Sequence, residues 1–382
     1  MRAPATLALL APVLAFPLGA CAPATSPSGS AIAVEATDDS CTLSASETTT
    51  GDREFTITNN GSKITEFYVV TEEGMVLSEV ENLKPGATRS VHVTIKKPGQ
   101  YAGTCKPGMV GDGISTTLTV AGESITTATD PKLEEAARTY QVWVAAQADE
   151  LLTRTTEFVT AVKSGDVETA KSRYAVARAP WERIEPVAES FGDLDPAIDG
   201  REDVVAEGLE FTGFHRLEKD LWVDGLQADS SAIADKLLAD VTTIVARAKD
   251  ADLDGLKIAN GAKELLDEMA TGKITGEEDR YSHTDLADFA ANWEGSKKGV
   301  DVLRPVLDSK KADFLADYDR AAATLDGLIA EQKQGDGYAR YDTVSTADIQ
   351  ALSDALTAVS EQVGKIGAAL AQQGARTPRG VP

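Results

Sequence analysis

The chain has 382 residues, 42% of them hydrophobic, and carries 37 Lys and Arg against 61 Asp and Glu, a formal net charge of −24. That length and apolar content can bury more than one core, suggest about two domains, and exclude a disordered chain. The carboxylate surplus excludes nucleic acid as a partner, because a phosphate backbone requires clustered Lys and Arg.

Residues 1–20, MRAPATLALLAPVLAFPLGA, read as a secretory signal: Arg2 in a short head, an uncharged apolar middle, and small residues at the end. The apolar run is too short and too broken by proline to span a membrane. LGAC resembles the lipobox of bacterial lipoproteins, in which the signal is cut before a cysteine that then receives lipid. The resemblance implies a mature chain that begins at Cys21 and is anchored to the outer face of the cell membrane or held in the periplasm. Ordinary cleavage nearby, with Cys21 as a free thiol, is the alternative. Residues 21–30, rich in Pro, Ser and Ala, then form a tether.

From 31 to 122 the pattern is β-like. REFTITNN, TEFYVVT, RSVHVTIKK and STTLTVAG alternate in polarity and are rich in Val, Ile, Thr and aromatics. Turn signals such as NNGS, KPGA and KPGQ separate them, which predicts seven or eight short strands in an all-β Greek-key sandwich. In SVHVTI the inward positions fall to Val91, Val93 and Ile95, leaving His92 outward.

Residues 123–130 form a linker. Asp130 is placed to cap a helix with Pro131 at its first position, and from there the apolar period changes to three or four. Residues 131–373 are predicted to form an all-α antiparallel bundle, and 374–382 a disordered tail. Within the bundle, Pro180 is positioned to open a helix.

His215, in GLEFTGFHRLEKDLW, is one of three histidines, and Glu218 follows three residues later. On a helix the two share a face and form a two-ligand clip of the kind used in bundle metal centres. Glu182 and Glu185 repeat the spacing, and Asp199 follows in a Pro/Gly-rich loop. Each also has an ordinary reading: the glutamates as a solvated face, Asp199 as a turn or capping residue. One imidazole among carboxylates, with no thiolate, suits iron, manganese or zinc better than Cu(I).

PWERIEPVAESFGDLDPAIDGRED, EGLEFTGFHRLEKDLW and KITGEEDRYSHTDLADFAANWEGSKKG, together spanning about 181–299, resemble the imelysin-like domain of EfeO-type iron-uptake components. The resemblance implies an iron site, Fe(III) or Fe(II), with Zn or Mn able to substitute. It is centred on an HxxE motif, here His215 and Glu218, with Glu182, Glu185, Asp199 and Glu278 as further ligands. Glu277 is a weaker alternative to Glu278, and His283 a supporting candidate. The implied partners are a membrane iron permease and a haem-type peroxidase of the same uptake system, and the chain is expected to be a binding protein rather than an enzyme. A metallopeptidase and a polysaccharide-binding protein are the rival readings. HRLE lacks the HExxH arrangement of zinc proteases, and 5% aromatic content makes a poor sugar-stacking platform.

The strand-rich segment resembles the cupredoxin-like domain that EfeO-type proteins carry, although CKPGM has no histidine between Cys105 and Met109 and His92 faces outward, which argues against a blue-copper site. Two readings stand for Cys41 and Cys105: a disulfide stapling the sandwich, or ligands of a second metal site, copper or another soft ion, with Glu66.

Overall fold

The computed structural model describes residues 31–371, except 73, 75, 110, 126–129, 189–193, 208 and 309–311. The signal segment, Cys21, the tether, part of the linker and the 374–382 tail lie outside the described residues.

Among the described residues nine strands build the sandwich: β1 (Ile32–Ala36), β2 (Cys41–Leu43), β3 (Glu47–Thr49), β4 (Gly51–Asn59), β5 (Thr65–Thr71), β6 (Val76–Leu83), β7 (Thr88–Ile95), β8 (Gly99–Pro107) and β9 (Ile114–Ala121). One sheet runs β2-β1-β4-β7 and the other β3-β9-β8-β5-β6. Most neighbours are antiparallel, but β1 pairs with β4, and β3 with β9, in parallel. The two shortest strands, β2 and β3, carry three residues each and are the ones a period-two pattern misses. Between the sheets lie Phe55, Ile57, Phe67, Val69, Val91, Val93, Ile95 and Leu118.

Cys41 on β2 and Cys105 on β8 are joined by a disulfide between the two sheets, with an S–S distance of 2.03 Å. The ligand reading of these cysteines is thereby corrected, because neither sulfur is a free thiolate. Glu66 does not meet them either. Phe67 lies opposite Cys105 and Glu66 opposite Lys106, so Glu66 occupies the other face of its sheet. There its carboxylate accepts a hydrogen bond from Tyr68 and lies 3.8 Å from Lys106 Nζ.

Among the described residues of the helical part, the elements are α1 (Pro131–Ser164), α2 (Val167–Ala188), α3 (Asp195–Ile198), α4 (Gly213–Lys219), α5 (Ser230–Lys249), α6 (Gly255–Thr271), α7 (Asp285–Leu307), α8 (Ala312–Glu331) and α9 (Thr346–Ala371). Asp130 caps α1 through a 3.0 Å bond from the Lys132 amide, and Gly165, at φ 75°, ends it in the left-handed conformation. Pro180 lies inside α2 rather than at its start. The helix begins thirteen residues earlier, and its stripe of Ala170, Tyr174, Ala177, Trp181 and Ile184 is buried. α2 packs on α1 and α7, and α6 on α7 and α9.

The sandwich packs on the bundle through β6 and β7 against α6. Asn260 donates to the His92 carbonyl at 2.7 Å and to Ser78 Oγ at 3.2 Å, and Arg89 pairs with Asp267 at 2.9 Å. His92 does point away from the sandwich core, but toward the helices.

Candidate metal centre

Four parts of the chain converge in the bundle: α2, the end of α3, α4, and the 276–284 loop before α7. Gly213 makes the approach of α4 to α3 close enough. It adopts φ +78°, and a Cβ there would collide with the Ile198 carbonyl oxygen. Thr212 Oγ1 adds a 2.9 Å bond to the Ala197 carbonyl. The first turn of α4 is thus pressed onto the segment that carries Asp199, and His215 arrives beside it.

His215 is buried, with a different set of oxygens at each ring nitrogen. At Nδ1 lie Glu218 Oε2 at 3.1 Å and Tyr174 Oη at 3.2 Å. The Tyr174 hydroxyl gives its proton to Asp279 Oδ1 at 2.9 Å, so toward His215 it can only accept. Both partners of Nδ1 are acceptors, which assigns the proton to Nδ1. At Nε2 lie Asp199 Oδ1 at 3.4 Å and Glu278 Oε1 at 3.6 Å, near enough to act through charge. Among the described residues this buried nitrogen has no hydrogen-bond partner.

Among the described residues two groups have the spacing to hold a cation, and both contain His215: Asp199–His215–Glu278 on Nε2, and His215–Glu218–Asp279 on Nδ1. The first is the better donor set. Burial raises Asp199, but Arg178 and His215 outweigh it and hold the carboxyl below its usual range. Burial likewise opposes ionisation of Glu278, yet Lys273, His215 and Arg201 hold it well below. In the second set Glu218 is already saturated: Oε1 accepts from the Tyr281 and Ser282 amides at 2.9 and 2.7 Å, and Oε2 faces His215. Asp279 is raised to about 7, chiefly by burial, against the pull of Arg178.

His215 itself is lowered by burial and by Arg178, but the facing carboxylates Glu218, Glu278 and Asp199 win and lift it to about 9. The imidazole is thus an imidazolium until a cation displaces a proton.

Glu182 and Glu185 are brought elsewhere. Lys273 Nζ, fully buried, lies 2.7 Å from Glu182 Oε2 and 2.8 and 2.7 Å from the two oxygens of Glu185. Glu182 Oε1 is held by Arg178. The pair expected beside His215 as metal ligands faces a buried ammonium here.

Arg178, also fully buried, bonds Asp288 through Nε at 2.8 Å, Asp199 through Nη1, and Glu182 and Glu278 through Nη2, and lies 3.6 Å from Asp279. Five carboxylates share one guanidinium. Arg201 covers the second oxygen of Glu278 at 3.1 Å. Glu277 is directed to Arg280, and His283 to Asp342 at 3.9 Å, so neither joins the cluster.

Asp279, Arg178, Tyr174 and Lys273 escape the sequence reading. Asp279 had a signal, as the direct neighbour of Glu278 in GEED. The other three show their role only in three dimensions.

A cupredoxin-like sandwich followed by a helical domain with a buried imidazole among ionised carboxylates defines the class of protein, and the comparisons agree. The imelysin family model matches residues 136–366, and that of the cupredoxin-like domain residues 9–120. The chain belongs to the imelysin family and is of the EfeO type. The iron uptake system component EfeO of Escherichia coli (strain K12) is 38% identical over 342 residues, covering 88% of this chain and 90% of that protein. The protein of the same name from Shigella flexneri matches to the same extent.

Proposed function

We propose that this protein is the iron-binding component of an extracytoplasmic uptake system, taking iron at His215 Nε2 with Asp199 and Glu278 and passing it to a membrane permease. The observation that carries the reading is the buried Nε2, unbonded between two carboxylates held in their ionised form. A hard cation is the ligand such a set of oxygens and one imidazole accepts, and the carboxylates offset its charge. Iron as the cargo is supported by the relatives, which are iron uptake system components.

In this reading the chain is a carrier and not an enzyme. The imelysin family bears a peptidase label, but each candidate cation group holds a single histidine and the sequence has no HExxH in which a glutamate could activate a zinc-bound water. Among the described residues no helix is long and apolar enough to cross a membrane. Lipid on Cys21 is the anchor proposed here, with the permease and a haem-type peroxidase as partners.

The test is a titration of the purified protein with Fe(II), Fe(III), Mn(II) and Zn(II) beside His215→Ala, Asp199→Asn and Glu278→Gln. Tight iron binding lost in all three variants is the expected result. Iron binding unchanged in His215→Ala would sink the assignment.

A further inference from the structure

The three side chains of the His215 site are closed off from solvent. His215 and Glu278 are buried, and the side chain of Asp199 is 7% exposed. Arg178 and Trp181, which bond Asp199, and Tyr174, which bonds His215, are fully buried as well. Among the described residues the exception is Arg201. Its guanidinium bonds Glu278 Oε2 at 3.1 Å, and its side chain is 37% exposed. An ion that enters from solvent at this point has to pass that guanidinium.

Arg201 is the first of three consecutive residues tied to one loop. Glu202 accepts from the Tyr281 hydroxyl at 2.7 Å and from Lys219 of α4 at 2.6 Å. Asp203 pairs with Arg280, Nη1 to Oδ1 at 3.2 Å and Nη2 to Oδ2. Residues 201–203, at the start of the 3-10 turn Glu202–Glu207, are thus clasped to residues 278–281. The outer pairs are open to water, with the Glu202 side chain 43% exposed and that of Asp203 68%. Ion pairs so exposed are weak and screened by salt. Parting the clasp uncovers the site, while Arg178, bonded to both Asp199 and Glu278, keeps the two carboxylates in place.

We propose that residues 201–203 and 278–281 form a gate over the His215 site, with the Arg201 guanidinium as its plug, and that the cation is taken up and released through its opening. The inference rests on the proposed cation binding at His215 and adds the route to it. A guanidinium at the mouth repels a cation moving in either direction, so the plug retains a loaded ion and slows a free one.

The experiment supplies the full chain with Fe(II) in the absence of oxygen, follows uptake by tryptophan fluorescence in a stopped flow, and follows release by capture with excess ferrozine. Wild type is compared with Arg201→Ala, with Glu202→Ala plus Asp203→Ala, and with His215→Ala. Uptake and release should both be faster in the two clasp variants, by about tenfold in the double one, the reach of two exposed ion pairs. Its Kd should stay at the wild-type value, because a gate loosened equally in the free and the loaded protein shifts neither state. Salt should speed release from wild type, and do so less in the double variant. Wild-type rates in both clasp variants overturn the gate, and so does faster release paired with slower uptake, which marks a damaged site. If Arg201→Ala does not fold, the double variant, which alters no group bonded to Asp199 or Glu278, decides alone. Binding lost in His215→Ala with clasp kinetics unchanged sinks the gate and keeps the site. A wild type that takes no Fe(II), or binding that survives His215→Ala, sinks the site and the gate with it.

Discussion

His215 Nδ1 lies 3.1 Å from Glu218 Oε2, and the other oxygen of Glu218 is fixed by the amides of Tyr281 and Ser282 at 2.9 and 2.7 Å. The second half of the HxxE motif is thus fixed in place and holds the imidazole. A histidine that gives its other ring proton to an anchored carboxylate is oriented and made more basic toward a metal.

Glu218→Gln tests that division of labour. Its amide can still accept from the two backbone N–H groups, but it then turns an NH2 toward Nδ1 and favours the wrong tautomer. Iron affinity should fall about 10–100-fold, short of the loss in His215→Ala. Above about pH 9, where the His215 ring is neutral, its nitrogen-15 shifts should show the proton moving from Nδ1 to Nε2 in the variant. An unchanged tautomer with abolished binding would mean that Glu218 is a ligand after all.

Much of this centre was legible in the sequence, and the misreadings have physical causes. Spacing of three on a helix correctly places His215 with Glu218, because that is a property of local geometry. The same spacing puts Glu182 beside Glu185 but is silent about what faces them, and Lys273, which does, lies 91 residues from Glu182. The solvated-face reading of Glu182 fails because α2 is buried on its polar side as well as its apolar one, where Arg178, one turn earlier, pairs with it. Pro180 reads as a helix start, since proline favours that position, whereas the buried stripe carries α2 straight past it. The sandwich was legible as alternation, but its parallel pairs β1–β4 and β3–β9 are non-local and leave no mark in the pattern.

Arg178→Met should cost about 3–5 kcal/mol of stability, the usual cost of leaving buried charges without their partner. Five carboxylates around it lose their shared counter-ion. Urea unfolding measures the loss, and lowering the pH should recover part of it by protonating those carboxylates. Arg178→Lys should rescue poorly, because a single ammonium cannot span the groups that the planar guanidinium fork reaches.

The seam between sandwich and helices should respond to pH in the opposite direction from an ordinary ion pair. Glu79 on β6 is lifted to about 8 by burial first, then by Glu66, Asp195 and Glu268, with Lys106 opposing; Glu81, Glu264 and Glu268 are raised too. Its ordinary value is 4.5. Between 4.5 and about 8 the unfolded chain has released this proton while the folded one keeps it, so the unfolded state binds fewer protons and stability falls as pH rises. Glu79→Gln should flatten that part of the fall in a profile of Tm against pH and raise Tm at the alkaline end. A variant with the wild-type slope would show that the seam carboxylate does not carry the effect.

Removing the staple should harm the sandwich and spare the metal centre. The Cys41–Cys105 bond closes a loop across a sequence separation of 64, for which loop-closure entropy gives about 4 kcal/mol. Cys41→Ser with Cys105→Ser should lower the unfolding midpoint accordingly, and reductant should do the same to the wild type. Iron titration below the melting range should be unchanged in the double variant, because His215, Asp199 and Glu278 all lie in the helical part. A loss of iron stoichiometry on removing the two sulfurs would instead place metal in the sandwich and return the cysteines to the role of ligands.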